Sequence, residues 1–333
     1  MRFGSKLLTL AAAASLSAMA SATPLNDYNL ILFGDLNPSG SVHVHGTSFI
    51  GGDLNGSSPE FANQLNKSLT IDTVEVVGNL NATGWTKVNA GQLAYGGTNN
   101  LSGVNCNGNP FGGSAGCVHQ VSGLETKAAA LYTQLQAESA FYSSLGSTGS
   151  VDLGADLFAY TGLATDLAVF NIAGEDLFAA NSNWQLNFGN AGKVVINVSG
   201  EVLGNPGSVN LSGSGFGDYS NILWNFYEAT SINFGNNWKG SVLALGAAVN
   251  TQNDFDGSLA ADTYIGSGQI HNIHWDFTPP PRDTEVPEPS MLVLMLAGLG
   301  LLGLGRLRRQ SDLGGKKNRA LPGFFMDGWS SPA

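Results

Sequence analysis

The side chains able to do chemistry are few, and most come in pairs. Asp254 and Asp256, in NDFDGS, alternate and so project to one side of an extended strand. Two carboxylates on one face can act as acid and base in glycoside hydrolysis. They can also offer oxygens to calcium, or bond their own backbone in a turn. No EF-hand loop and no regular nonapeptide repeat accompanies them, so calcium has weak support and no cofactor is assigned. His43 and His45 alternate in SVHVHG, and His271 and His274 lie in QIHNIHWDF. The two pairs would make a weak metal site only if the chain ends were neighbours. Otherwise they face solvent or are hydrogen-bonded, and no metal ligand is assigned.

Gly112 to Gly116, GGSAG, matches the G-x-S-x-G string. A nucleophile elbow needs a strand before the serine and a helix after it. Here CNGNPF precedes and Cys117 follows directly, so the segment reads as a glycine-rich loop. From Thr23 to Pro281 there is no arginine. Guanidinium groups clamp acidic sugars bidentately, and their absence argues against a polysaccharide lyase. Trp85, Trp184, Trp224, Trp238 and Trp275 read first as packing residues and second as sugar platforms. No catalytic residue is assigned, and the chain is not expected to be an enzyme.

Charge narrows the partners. Between Thr23 and Val286 stand six basic and 22 acidic residues, a net charge of −16. Such a surface repels phosphate backbones, so nucleic acid is excluded as a partner. Met1 to Ala22 reads as a signal peptide: Arg2 and Lys6, the apolar run Leu7 to Leu16, then Ala20-Ser21-Ala22. Cleavage set by Ala20 and Ala22 would start the mature chain near Thr23. In an oxidising compartment the two cysteines, Cys106 and Cys117, are expected to form a disulfide.

Short apolar runs between turn residues must position these groups. NLILFGDLN (29–37), TSFIGGDLN (47–55) and VEVVGNLNA (74–82) share a pattern: apolar pair, Gly, Asp or Asn, Leu, Asn. Segments 193–203, 221–235, 240–250 and 257–270 are β-branched or aromatic and bounded by Gly, Asn or Asp. Many short strands predict an all-β sandwich, barrel or solenoid. Residues 122–146 predict a single helix along the outside of the β body. Ser122 and Glu125 are placed for a capping box, Leu124, Ala128, Leu131 and Leu135 share a face, and Gly146 ends it. PPPRDTEVPEP (279–289) is a stiff linker.

Two resemblances follow from these motifs. Pro287-Glu288-Pro289, a short apolar run, then Arg306, Arg308 and Arg309 resemble the PEP-CTERM sorting signal. That likeness implies an exosortase-type processing enzyme and a Gram-negative bacterium that makes extracellular polysaccharide. Family members usually end just after the basic cluster, whereas this chain continues for a further 23 residues. NLILFGDLN, FIGGDLNGSS and WKGSVLALGAAVNTQNDFDGSLAADTYIGSGQIHN resemble the choice-of-anchor A adhesive domain over roughly residues 25–277. The closing stretch is also similar to the last coils of ice-binding-like solenoids. These likenesses imply a right-handed β-solenoid with one long flanking α-helix.

The expected organisation is therefore a signal peptide (1–22), a β-solenoid adhesive domain (23–278), a Pro-rich linker (279–289), a short transmembrane sorting segment (290–310) and an atypical polar tail (311–333). Met291 to Gly305 would span about 23 Å as a helix, short for a hydrocarbon core of about 30 Å. The arginines would stay cytoplasmic. The function expected is an exported adhesin, held in the membrane in transit and then placed at the cell surface or in the extracellular matrix. It would bind extracellular polysaccharide or cell-surface glycan without catalysis. A carbohydrate-active enzyme on the same scaffold is the alternative. Ice binding ranks third, because no T-x-T row is present.

Overall fold

The computed structural model describes residues 22–279, except 107, 113–115, 205–208, 212, 214 and 278. The leader residue Ala20, the linker beyond 279, the sorting residues Pro287, Glu288, Pro289, Arg306, Arg308 and Arg309, the transmembrane segment and the tail lie outside the described residues. Among the described residues, no helix is long and apolar enough to cross a membrane.

The body is a parallel β-solenoid. Its first face is a sheet in which Thr165–Ala173, Ala191–Ser199, Ile222–Asn225, Ser241–Thr251 and Leu259–Tyr264 lead to Leu30–Leu32. From there it continues through Ser48–Ile50, Asp72–Val76, Gln92–Tyr95 and Val118–Gln120. A second face runs from Trp238–Lys239 through Phe255–Asp256, Gly268–His271, Val42–Val44, Glu60–Phe61 and Trp85–Val88 to Gly103–Asn105. A third face carries the Gly-Asp-Leu-Asn repeats, whose Leu36, Leu54 and Leu80 pair in register and are fully buried.

The chain does not fill the coils in sequence order. It enters in the middle, at Leu30, and winds to one end at Val118–Gln120. A long helix, α2 (Leu124–Ser144), then carries it past the coils already made. It rebuilds from Thr165–Ala173 and returns until Leu259 pairs with Leu30.

Both sides of the first face are buried, which explains its unbroken apolar runs. Leu30, Leu32, Ile50 and Val76 point into the solenoid. Ile31, Phe49, Leu243 and Ala260 point outward and pack with Leu135 and Tyr142 of α2. Polar docking fixes the helix further. The Asn225 amide donates to the Ser139 carbonyl at 3.0 Å, and Ser139 Oγ donates back at 2.7 Å. The Asn197 amide donates to the Tyr142 carbonyl at 2.7 Å.

The expected capping box is not formed. Gly123, with φ 88°, occupies the N-cap position and no side chain caps the helix. A left-handed residue there leaves Ser122 one position too early to reach the first-turn amides. The helix ends at Leu145 in extended backbone, so Gly146 stands just past the cap as expected, but without the positive φ of a left-handed stop.

Each end of the solenoid is covered. At one end Cys106 and Cys117 are joined by a disulfide, with Cα atoms 5.8 Å apart. Inside their loop the buried Asn109 amide donates to the Val88 and Gly91 carbonyls at 3.1 and 3.0 Å. At the other end the antiparallel pair Ser150–Asp152 and Leu157–Ala159 closes the core. There Phe158 stacks on Trp184 at 4.5 Å.

Candidate functional site

With α2 over the first face, the second and third faces carry no covering helix among the described residues. Their outward residues are set by the coil register, one residue from each coil in a row.

The third face carries a ladder of side-chain amides. Each Gly-Asp/Asn-Leu-Asn turn buries its leucine and turns the following asparagine outward. The Asn55 amide donates to Asn37 Oδ1 at 2.7 Å, Asn81 to Asn55 Oδ1 at 3.2 Å, and Asn100 to Asn81 Oδ1 at 3.0 Å. On the returning coils Asn250 donates to Asn233 at 3.3 Å. Gln252 then bonds Asn250 at 3.1 Å and Ser39 at 3.2 Å, which joins the two halves of the chain. Exposed Ile265 lies between them.

The acidic residues of this face are structural. Asp35 Oδ1 accepts the Asp53 amide at 2.8 Å, and Asp53 Oδ1 accepts the Asn79 amide at 2.7 Å. Each carboxylate reaches the next coil through space that a side chain would fill. A Cβ at Gly52 would lie 2.1 Å from Asp35 Oδ1, and one at Gly78 2.2 Å from Asp53 Oδ1. The sequence reading missed the fourth turn, Gly97-Thr98-Asn99-Asn100, because Thr98 replaces the acid and Asn99 the leucine. The Asn79 Oδ1 still accepts the Thr98 amide at 2.9 Å.

The second face is charged and holds His43, His45 and His271, whereas His119 lies on the first face, bonded to Asp72. Since the last coil pairs with the first, His43 registers with Gln269 and Glu60, and Asp256 with His271. His45 and His271 lie with ring centroids 4.8 Å apart, and His45 Nε2 meets Gln269 Oε1 at 2.9 Å. Burial holds His45 below the ordinary imidazole value. His274 is separate, bonded to Asn272 at 2.7 Å and held low by burial. Burial works against ionisation of Glu60, but hydrogen bonds from Lys87 and Asn89 outweigh it and hold its carboxyl below the ordinary value.

Asp254 and Asp256 do not face one another across a cleft. Asp256 Oδ1 is bonded to His271 Nδ1 at 2.5 Å. Among the described residues, no group of three or more His, Cys, Asp or Glu side chains is arranged to hold a metal. Four tryptophans, Trp184, Trp224, Trp238 and Trp275, are fully buried. Trp85 is 57% exposed, at the corner between the amide ladder and the charged face. An open cleft of about 670 Å³ lies at the returning end, lined by Asn181, Asn183, Asn210, Asn236, Asn237 and Lys239.

Residues 285–309 match the PEP-CTERM protein-sorting motif, which marks chains for export and surface sorting in Gram-negative bacteria. Solved structures that align with the chain include two ice-binding proteins. An ice-binding protein from the Antarctic ascomycete Antarctomyces psychrotrophicus is 13% identical, covering 75% of this chain and 96% of its own, with a TM-score of 0.27. The DUF3494 domain of Shewanella frigidimarina ice-binding protein 1 is 12% identical, covering 75% and 95%, with a TM-score of 0.30. No curated protein matches the sequence. Residues 21–272, most of the chain, match the model described as "Putative Ice-binding-like adhesive domain", and the chain belongs to that family.

Proposed function

We propose that the protein is a surface adhesin whose amide face binds uncharged segments of extracellular polysaccharide or cell-surface glycan without altering them. The observation that carries this reading is the ladder Asn37–Asn55–Asn81–Asn100, held in register, while α2 covers the first face. Amides repeated once per coil present donors and acceptors to sugar hydroxyls along a line. Trp85 at its edge offers a ring on which a sugar can stack. The body's net charge of −16 favours neutral partners over acidic ones.

The enzyme reading has less support, because Asp256 is engaged by His271 rather than opposed to a second carboxylate. For localisation, the body is placed outside and a PEP-recognising exosortase removes the segment beyond about Pro289. The domain boundaries that follow are a leader to Ala22, an adhesive body of 23–278, a spacer to 289, a transient membrane segment of 290–310 and a tail of 311–333.

The test is co-sedimentation of the exported protein with insoluble matrix polysaccharide, followed by product analysis. The protein should pellet with the glycan and release neither reducing ends nor unsaturated sugars. Release that disappears in Asp256→Asn would overturn the reading in favour of an enzyme.

A further inference from the structure

The start of the mature chain and the middle of α2 meet in a buried polar pocket. Thr23 is fully buried, and its Oγ1 donates to Glu138 Oε2 at 2.7 Å. Gln134 Nε2 donates to the Ala22 carbonyl at 2.8 Å and reaches Glu138 Oε1 at 3.3 Å. Leu25 of α1 (Pro24–Asp27) packs with Leu135, Tyr142 and Trp275 around it. Glu138 thus sits on the apolar face of the helix, where a carboxylate is costly unless paired.

Among the described residues no cation is paired with it. Lys127 of α2 bonds Glu75, and Lys193 pairs with Asp276. Of the groups packed around Glu138, the titratable one is Tyr142, and it adds no positive charge. With Thr23 still in peptide linkage to Ala22, burial raises the Glu138 carboxyl to about 7.

The leader motif Ala20-Ser21-Ala22 directs cleavage to the bond just before Thr23. A leader peptidase adds water across that bond, leaving a carboxylate on Ala22 and an ammonium on Thr23. The Thr23 nitrogen belongs to the residue whose hydroxyl already touches Glu138. It therefore falls within about 4–6 Å, the range in which an opposite charge stabilises a carboxylate. We propose that leader removal completes the fold by creating a buried ion pair between the Thr23 α-ammonium and Glu138, which locks α2 to the first residue of the mature chain.

The sign of the pH effect follows. In a chain extended past Thr23, Glu138 binds its proton more tightly folded than unfolded. That stabilisation is present at low pH and is lost as pH rises through about 7. In the mature chain the ammonium supports the ionised form, so the loss is absent until the amine itself deprotonates. The two chains should therefore differ at about pH 8 and converge near pH 5.

The experiment compares the chain from Thr23 to Ala333 with the same chain retaining Ser21-Ala22, in mild detergent, by urea unfolding. The extension should shift the folding equilibrium at least tenfold towards unfolded at about pH 8. It should have no effect when both chains carry Glu138→Gln. Acylation of the Thr23 amine should be at least tenfold faster in Glu138→Gln than in the native chain. Equal stability of the two native chains, or an extension effect that persists in Glu138→Gln, would overturn the proposal. So would an exported protein whose first residue, by mass, is not Thr23.

Discussion

His45 and His271 come from opposite ends of the body and lie with ring centroids 4.8 Å apart on the second face. Their meeting is a direct consequence of the last coil pairing with the first, as Leu259 does with Leu30. It also makes part of the stability sensitive to acid.

Burial lowers His45 and His274 in the folded chain. The unfolded chain then takes up protons first as pH falls below about 6.5, so stability is present above that value and lost below it. Glu138 acts in the opposite sense where it is unpaired. The urea midpoint should fall between about pH 7 and pH 5, and the fall should be shallower in His45→Gln. An identical slope in that variant would contradict the assignment.

The disulfide loop is a lid on one end of the core. Opening Cys106–Cys117 should cost about 2–3 kcal/mol in the chain-entropy model. Hydrogen exchange in the reduced protein should rise first in Gln92–Tyr95 and Val118–Gln120, the coil that the loop covers. Uniform loss of protection along the whole body would show instead that the bond braces the fold globally.

Gly52 has no room for a side chain, since an added Cβ would also lie 2.7 Å from the Gly34 carbonyl carbon. Gly52→Ala should therefore destabilise by about 1–3 kcal/mol through overpacking. Thermal unfolding checks this, and a Tm equal to wild type would mean the turns are looser than the register implies.

Much of this was legible in the sequence for identifiable reasons. Leu36, Leu54 and Leu80 stand out because a buried row demands one residue type, and the following asparagines share their spacing. The disulfide was readable from the export signal and two local cysteines. The coil order was not, because the pairing of Leu30 with Leu259 leaves no local trace. Trp85 carries no sequence feature that separates it from the four buried tryptophans. The capping box failed on Gly123, whose positive φ shifts the cap by one residue. Glu138 stands three residues beyond Leu135 on the buried stripe of the helix, but what it bonds there depends on Thr23, far away in sequence.

Processing of the carboxyl-terminal end is tested by an epitope placed after Ala333. The surface-exposed protein should have lost the tag together with everything beyond about Pro289. A tag that stays on the exposed, fully exported protein would contradict processing and leave a plain membrane tether.

The central claim is that the amide face makes the contact. Its most direct measurement is retention of the exported protein on matrix polysaccharide after Asn55→Lys and Asn81→Lys are combined, beside Gln136→Lys on the exposed side of α2. Urea unfolding confirms that each variant is folded. The account predicts at least a tenfold loss of binding for the ladder variant and unchanged binding for Gln136→Lys. Full retention by the folded ladder variant, or loss with Gln136→Lys alone, would contradict it.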